Sequence, residues 1–161
     1  MSEASDNRAV YPSLRGKRVL VTGGGSGIGA GIVEGFVRQG ADVTFFDIAE
    51  EESKQLADGS GARFERLDLR DIAGLQAAIS RLVESGGAFD ILVNNAANDD
   101  RHKPDEVTEA YWDERVDVNL KHFFFCAQAV LPGMRSKGGG AIVNLASIAS
   151  KIVTFVPPEV T

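Results

Sequence analysis

Apolar and polar positions follow two alternating patterns along the chain. Short apolar runs predict buried strands, and segments with apolar positions three or four residues apart predict helices. The predicted strands are residues 17–22, 41–47, 62–67, 90–94 and 140–146. The predicted helices are residues 28–39, 49–58, 71–85 and 108–137, the last with a break near its start. This alternation predicts a doubly wound α/β domain, a Rossmann-type parallel sheet of about five strands with helices on both faces.

The remaining segments divide the chain into three parts. Residues 1–16 are polar, contain Pro12 and end at Gly16, and predict a flexible tail. Residues 17–150 form the predicted dinucleotide-binding domain, and residues 151–161 form an atypical C-terminal tail. We expect one domain, because 161 residues are enough for one apolar core.

Charge and composition restrict the class of partner. The net charge of −6 argues against nucleic-acid binding, which needs a basic face. No apolar run reaches the ~20 residues of a membrane span, and no signal peptide is recognisable, so we expect a cytoplasmic protein. The single cysteine, Cys126, lies in an apolar run and is predicted to be a core thiol. No metal site is predicted.

A glycine-rich loop between the first strand and the first helix predicts a dinucleotide site. It runs from Thr22 through three glycines, Ser26, Gly27 and Ile28 to Gly29. Gly23 permits the turn off the strand, Gly27 lets a pyrophosphate approach the backbone, and Gly29 lets the helix pack near the strand. The N–H groups at the helix N-terminus then bind the phosphates.

An acidic residue follows the glycine loop at the spacing expected for ribose recognition. Asp47 ends the second strand, eighteen residues after Gly29. Its carboxylate would accept hydrogen bonds from the ribose hydroxyls and repel a 2′-phosphate. Ile48 follows it, and the loop contains no Lys or Arg, so we predict NAD rather than NADP.

Gly31 and Gly35 extend the glycine pattern at intervals of four residues along the first helix. Each costs about 1 kcal/mol of helix stability relative to alanine, so a compensating role is expected. We interpret them as sites of close packing between this helix and the sheet.

Five segments in this order resemble the short-chain dehydrogenase/reductase family. They are the glycine loop, Asp68-Leu69, Asn94-Asn95-Ala96-Ala97, Val118-Asn119-Leu120, and the strand that leads to Ser147. Ala97 stands where the family has glycine. The resemblance implies that the cofactor contacts Gly23, Ser26, Gly27, Ile28, Gly29, Asp47, Ile48, Asp68, Leu69, Asn95, Ala96, Ala97 and Val118.

The loop at residues 98–103 resembles the subgroup of this family that oxidises aldoses such as galactose or arabinose. The resemblance implies that Asn98, Arg101 and His102 contact a sugar. A polar loop at the carboxyl end of a strand suits a polyhydroxylated ligand. The alternative is a solvated charged loop without a ligand.

The resemblance also implies a catalytic group, of which only half is present. Asn119 and Ser147 match the family's catalytic asparagine and serine, but residues 148–161 contain no tyrosine. Lys151 is too close to Ser147 to match the family's lysine. We therefore expect a C-terminally truncated chain without turnover, whose fifth strand is an edge that favours homo-oligomers.

Three functions remain open at this stage. The first is an NAD-dependent dehydrogenase by descent, which oxidises a sugar or another secondary alcohol. The second is a reductase of a keto compound in the same family. The third is a non-catalytic module that binds a dinucleotide or self-associates.

Overall fold

The computed structural model describes residues 9–98, 100 and 102–146, which contain a single parallel sheet. The strands are β1 (Arg18–Thr22), β2 (Asp42–Asp47), β3 (Arg63–Arg66), β4 (Ile91–Asn94) and β5 (Ala141–Asn144). Their order in the sheet is β3-β2-β1-β4-β5, and every pair is parallel. The predicted strands and their parallel arrangement are confirmed.

Five helices accompany the described strands. They are α1 (Gly27–Arg38), α2 (Glu50–Ser60), α3 (Ile72–Gly86), α4 (Glu109–Val116) and α5 (His122–Ser136). Asp71 caps α3 by accepting the N–H of Gly74 at 2.9 Å. Short 3₁₀ turns occur at Pro12–Leu14 and Pro104–Glu106.

The break predicted near the start of residues 108–137 is a π-helical turn, Asp117–Lys121, which joins α4 to α5. The helical path continues through it. Because the π turn differs from an α-helix by less than one residue per turn, the apolar spacing of five residues could not identify it.

The helices cover both faces of the sheet. On one face α3 and α5 pack over Leu20, Phe46 and Leu92. On the other face the residues of α1 and α2 surround Val19, Val21 and Phe45. Alternate residues of β1 therefore belong to opposite cores, as the three-layer prediction requires. Cys126 of α5 is completely buried in the first core.

The packing role expected for Gly31 and Gly35 is wrong. A Cβ at Gly31 would have no atom within 4 Å, and one at Gly35 would meet only the Arg38 guanidinium at 3.9 Å. The close approach occurs instead at Gly29, where a Cβ would overlap the carbonyl oxygen of Gly23. Only the first turn of α1 therefore requires glycine.

Residues 9–16 contact the end of α1. The Tyr11 N–H donates to Gln39 Oε1 at 2.7 Å, and Gln39 Nε2 donates to the Ala9 carbonyl at 3.0 Å. The remainder of the predicted tail, and the boundary predicted at residue 150, lie outside the described residues. None of the described helices has the length and apolarity that a membrane span needs.

Candidate functional site

A crevice lies at the carboxyl edge of the sheet beside β1. From β1 the chain adds β2 and β3 on one side, and it adds β4 and β5 on the other. The loops after β1 and β4 therefore diverge, which is the arrangement that forms ligand sites in open parallel sheets. The glycine loop and residues 95–98 border this crevice.

The glycine loop makes a tight turn from β1 into α1. Gly23 has φ +65°, and its N–H donates to the Phe46 carbonyl at 2.8 Å. A Cβ at Gly23 would lie 2.6 Å from the Cα of Ala96, so the loop after β4 leaves no room for a side chain. Ser26, Gly27 and Ile28 are exposed at the N-terminus of α1, where their N–H groups can bind an anion.

Asp47 is held at the rim of the glycine loop by backbone donors. Its Oδ2 accepts the Gly25 N–H at 2.8 Å, and its Oδ1 accepts the Ala49 N–H at 2.9 Å. Each carboxylate oxygen retains a lone pair for a further donor. The next residue, Ile48, is 62% exposed at the same edge.

Gly25 and Ser53 have a part in this arrangement that the sequence analysis missed. A Cβ at Gly25 would lie 3.0 Å from the Asp47 carboxylate and would overlap the hydroxyl of Ser53, which is completely buried. Three consecutive glycines were the available sequence signal, but the glycine pattern assigns a role to only the first of them.

Asp68 follows β3 and forms an ion pair with Arg70. The distance from Arg70 Nη2 to Asp68 Oδ2 is 2.6 Å, and Arg70 Nη1 also lies 3.2 Å from Glu114 of α4. The hydrogen bond from Arg70 lowers the pKa of the Asp68 carboxyl. Leu69 lies between them in the sequence and is buried, whereas the side chains of Asp68 and Arg70 both face solvent.

The loop after β4 is bound to the end of β1. Thr22 Oγ1 accepts the N–H of Asn95 at 3.0 Å and the N–H of Ala96 at 3.2 Å. Asn95 Nδ2 in turn donates to the carbonyls of Thr22 and Gly23 at 3.1 and 2.8 Å. Ala97 is exposed beyond this connection.

The side chain of Asn119 holds the backbone of Asn98. Asn119 Oδ1 accepts the Asn98 N–H at 2.7 Å, and Asn119 Nδ2 donates to the Asn98 carbonyl at 3.0 Å. Asn119 lies in the π turn, after the half-buried Val118. Asn119 thus fixes the backbone of Asn98 through both ends of its side-chain amide. Ser147 lies outside the described residues.

In the loop at residues 98–103, for which a sugar contact is predicted, His102 and Asp100 contact α4. His102 Nδ1 lies 2.8 Å from the Tyr111 hydroxyl, and the Arg115 guanidinium lies 4.6 Å above the Tyr111 ring. Arg115 also pairs with Asp100 at 3.3 Å. Arg101 lies outside the described residues, so the structure brings together only Asn98 and Asn119 among the predicted substrate and catalytic residues.

His122 is a buried polar group that the sequence analysis did not identify. Its side chain is completely buried at the start of α5, and burial lowers its pKa to about 4. A polar residue directly before three phenylalanines was the available signal. In the described part of the chain, no three His, Cys, Asp or Glu side chains lie together as a metal site would require.

Comparison with known proteins identifies the relatives of this chain. A sequence model described as short chain dehydrogenase matches residues 17–156. D-xylose 1-dehydrogenase of Caulobacter vibrioides is 54% identical over 146 residues, which are 88% of this chain and 57% of that protein. A probable galactose dehydrogenase of Rhizobium meliloti is 51% identical over 145 residues, which are 86% of this chain and 57% of that protein.

A solved structure shares the fold. The NADH-dependent reductase A1-R′, solved in complex with NAD, superposes with a TM-score of 0.77 at 27% identity, covering 87% of this chain and 63% of that one. The chain thus spans about 57% of the length of the two curated relatives above. These matches confirm the resemblance that the ordered segments indicated.

Proposed function

Because this chain belongs to the short-chain dehydrogenase family, we propose that its crevice binds NAD and belongs to an oxidoreductase that acts on an aldose hydroxyl. One observation carries the cofactor assignment. The Asp47 carboxylate is fixed by the N–H groups of Gly25 and Ala49, next to the exposed N-terminus of α1. A fixed carboxylate and a free helix N-terminus complement the ribose hydroxyls and the pyrophosphate of a dinucleotide.

The proposed cofactor contacts follow the crevice from the helix to the far loop. The N–H groups of residues 26–28 bind the pyrophosphate, and Asp47 binds the adenine ribose. Ile48, Asp68 and Leu69 border the adenine. Gly23 and Gly29 allow the tight turn of the glycine loop, while residues 95–97 and Val118 border the remainder of the dinucleotide. When bound, NAD supplies the hydride acceptor.

NAD is favoured over NADP by charge. A 2′-phosphate would lie beside the Asp47 carboxylate, and repulsion between like charges disfavours that pair. Gly25 and Ala49 hold the carboxylate in place, so it could not swing away without leaving two N–H groups without partners.

An aldose is the substrate class that we propose. The support is the resemblance of residues 98–103 to aldose dehydrogenases, together with relatives named for D-xylose and galactose. In this proposal Asn98, Arg101 and His102 contact the sugar, Ser147 orients its reacting oxygen, and Asn119 holds the loop that carries Asn98. A keto-compound reductase of the same family is the alternative enzyme.

We further propose that the 161-residue polypeptide does not turn over by itself. Residues 148–161 contain no tyrosine that could exchange a proton with the substrate hydroxyl, and Tyr111 lies at the start of α4 against His102. The polypeptide would then act as a dinucleotide-binding module. The cytoplasmic location stays a prediction from the sequence.

Self-association is the other part of this proposal. Trp112, Val116, Leu120 and Phe124 are spaced by four residues across α4, the π turn and α5, and they are 64, 36, 63 and 64% exposed. Four such side chains in a row form an apolar stripe that favours burial against another surface. We propose a second copy of this chain, because one helical stripe can pack against itself about a two-fold axis.

Calorimetric titration with NAD and NADP tests the cofactor assignment. Asp47→Ala should weaken NAD by about tenfold or more, since it removes charge-assisted hydrogen bonds, and should weaken NADP less. Asp42→Ala, at the other end of β2, is the matched control and should leave both affinities unchanged. Equal weakening of both dinucleotides by Asp47→Ala would overturn the preference for NAD, and no binding of either would overturn the dinucleotide site.

A further inference from the structure

His122 contacts the first residue of the glycine loop from inside the core. It is the first residue of α5, directly after the π turn, and its side chain is completely buried. Its Nε2 lies 3.3 Å from the hydroxyl oxygen of Thr22. The two residues are a hundred positions apart in the sequence, so this contact joins the start of α5 to the end of β1.

The hydrogen bonds of Thr22 determine which group donates in this contact. The hydroxyl oxygen already accepts the N–H groups of Asn95 and Ala96, which use both of its lone pairs. Its own proton needs an acceptor, and His122 Nε2 is the acceptor within reach among the described residues. With the Thr22 hydroxyl donating to Nε2, the neutral ring carries its own proton on Nδ1.

We propose that His122 is a positioning residue for the cofactor site: its Nε2 orients the Thr22 hydroxyl so that Thr22 fastens the loop after β4 to the glycine loop. This inference rests on the proposed binding of NAD in the crevice. Without the acceptor at His122, the Thr22 hydroxyl would turn toward another partner and would hold the N–H groups of Asn95 and Ala96 less well.

The same turn of α5 contacts β4 as well. Asn94 Nδ2 lies 3.4 Å from the Phe123 carbonyl and 2.8 Å from Asn144 Oδ1 of β5. The start of α5 is thus attached to two neighbouring strand ends of the crevice. Asn119, three residues before His122, holds Asn98 at the end of the same loop. In the loop after β4, His122 therefore positions the first residues through Thr22, and Asn119 holds Asn98.

The position of the proton on His122 is the first test, and it needs no ligand. The chain contains two histidines, so ¹⁵N NMR of histidine-labelled protein gives two sets of ring signals, with the exposed His102 as an internal reference. At neutral pH we expect His122 to carry its proton on Nδ1 alone. In Thr22→Val, which has no hydroxyl, the Nε2 signal should shift. A proton on Nε2, or an unchanged signal in Thr22→Val, would overturn the inference.

NAD affinity gives the second test. His122→Leu removes the acceptor and should weaken NAD by about fivefold or more, the effect of one lost hydrogen bond. His122→Gln keeps an acceptor oxygen and should restore much of the affinity, and Thr22→Ser should retain it. In the double variant His122→Leu/Thr22→Val, the loss should be no greater than in Thr22→Val alone, because His122 has no bond left to make once the Thr22 hydroxyl is removed.

A matched core variant separates positioning from general stability. Cys126→Ala removes a buried side chain one turn further along α5 and should lower the melting temperature without changing NAD affinity. If His122→Leu lowers stability but binds NAD as the wild type does, the positioning role is wrong. If the wild type itself does not bind NAD, the proposed function fails, while the NMR result and the amide signals of Asn95 and Ala96 in His122→Leu still decide the inference.

Discussion

The polar residues around the crevice bond mainly to backbone groups. Asp47 accepts two backbone N–H groups, Thr22 accepts two, and Asn119 pairs with the N–H and carbonyl of Asn98. Such contacts fix the path of the loops, whichever side chains the loops carry. A substitution at one of these three residues should therefore change the shape of the crevice as well as remove a polar group.

Gly25→Ala tests whether close packing keeps Asp47 in place. The added Cβ would press on the Asp47 carboxylate and the Ser53 hydroxyl, so NAD affinity should fall by about tenfold. Gly31→Ala is the matched control, since its Cβ would meet no atom within 4 Å. The control should leave NAD affinity unchanged and raise stability by up to about 1 kcal/mol. Calorimetry and thermal unfolding measure both, and an unchanged affinity in Gly25→Ala would contradict the prediction.

His122 makes stability depend on pH. Burial lowers its pKa from 6.5 to about 4, so below pH 6.5 the unfolded chain binds a proton that the folded chain excludes. The free energy of unfolding should fall as the pH falls from about 6.5 to 4, by about 3 kcal/mol from this group. Chemical denaturation at several pH values measures the slope. His122→Gln, which removes the titrating imidazole, should flatten the slope.

At the scale of elements, the carboxylate of Asp90, just before β4, connects β4 with β1 and with the end of α5. Asp90 accepts the N–H of Arg18 in β1 at 2.8 Å and the ammonium of Lys137, just after α5, at 2.6 Å. Burial alone would raise the pKa of Asp90, but the hydrogen bonds from Lys137 and Arg18 lower it further than burial raises it. Asp90 therefore joins the start of two strands to the end of a helix.

Asp90→Asn should cost about 1–3 kcal/mol of unfolding free energy, because the donors around this largely buried side chain lose a charged acceptor. Asp42→Asn is the control: Asp42 also pairs with Arg18, at 3.3 Å, but its side chain is 50% exposed, so the cost should stay below about 1 kcal/mol. Urea denaturation of both variants measures the difference. Equal costs would show that the Asp90 contacts add nothing beyond a surface ion pair.

The elements themselves were predictable from apolar spacing, since strands and helices differ by a large change of period. Two features were not. The π turn differs too little from an α-helix to be visible in five residues, and Gly31 and Gly35 fit a packing pattern that the open space around them rules out. For the site, spacing identified Asp47 and the family resemblance identified Asn119, but the backbone partners of both depend on loops that meet only in three dimensions. His122 and Thr22 are likewise too far apart in sequence for any local pattern to pair them.

At the scale of the whole molecule, the apolar stripe on α4 and α5 determines whether the chain stays monomeric. Leu120→Asp places a charge in the middle of the stripe and should shift a dimer toward monomer by tenfold or more in dissociation constant, roughly the cost of burying an unpaired charge. Val10→Asp changes a side chain that is 73% exposed elsewhere and should have no effect. Sedimentation velocity distinguishes them, and a monomeric wild type would contradict the proposal.

The π turn also fixes the rotational phase of everything after it. Each residue of an α-helix turns the chain by about 100°, and each residue of a π turn turns it by less, so the five residues Asp117–Lys121 cover about the rotation of four α-helical residues. If all five residues became α-helical, all of α5 would rotate by about 100°. Cys126, Val130 and Met134 would then leave the core, and the apolar stripe would split into two unaligned halves. A single extra residue in one turn thus sets the alignment of a core, a surface and a cofactor loop at once.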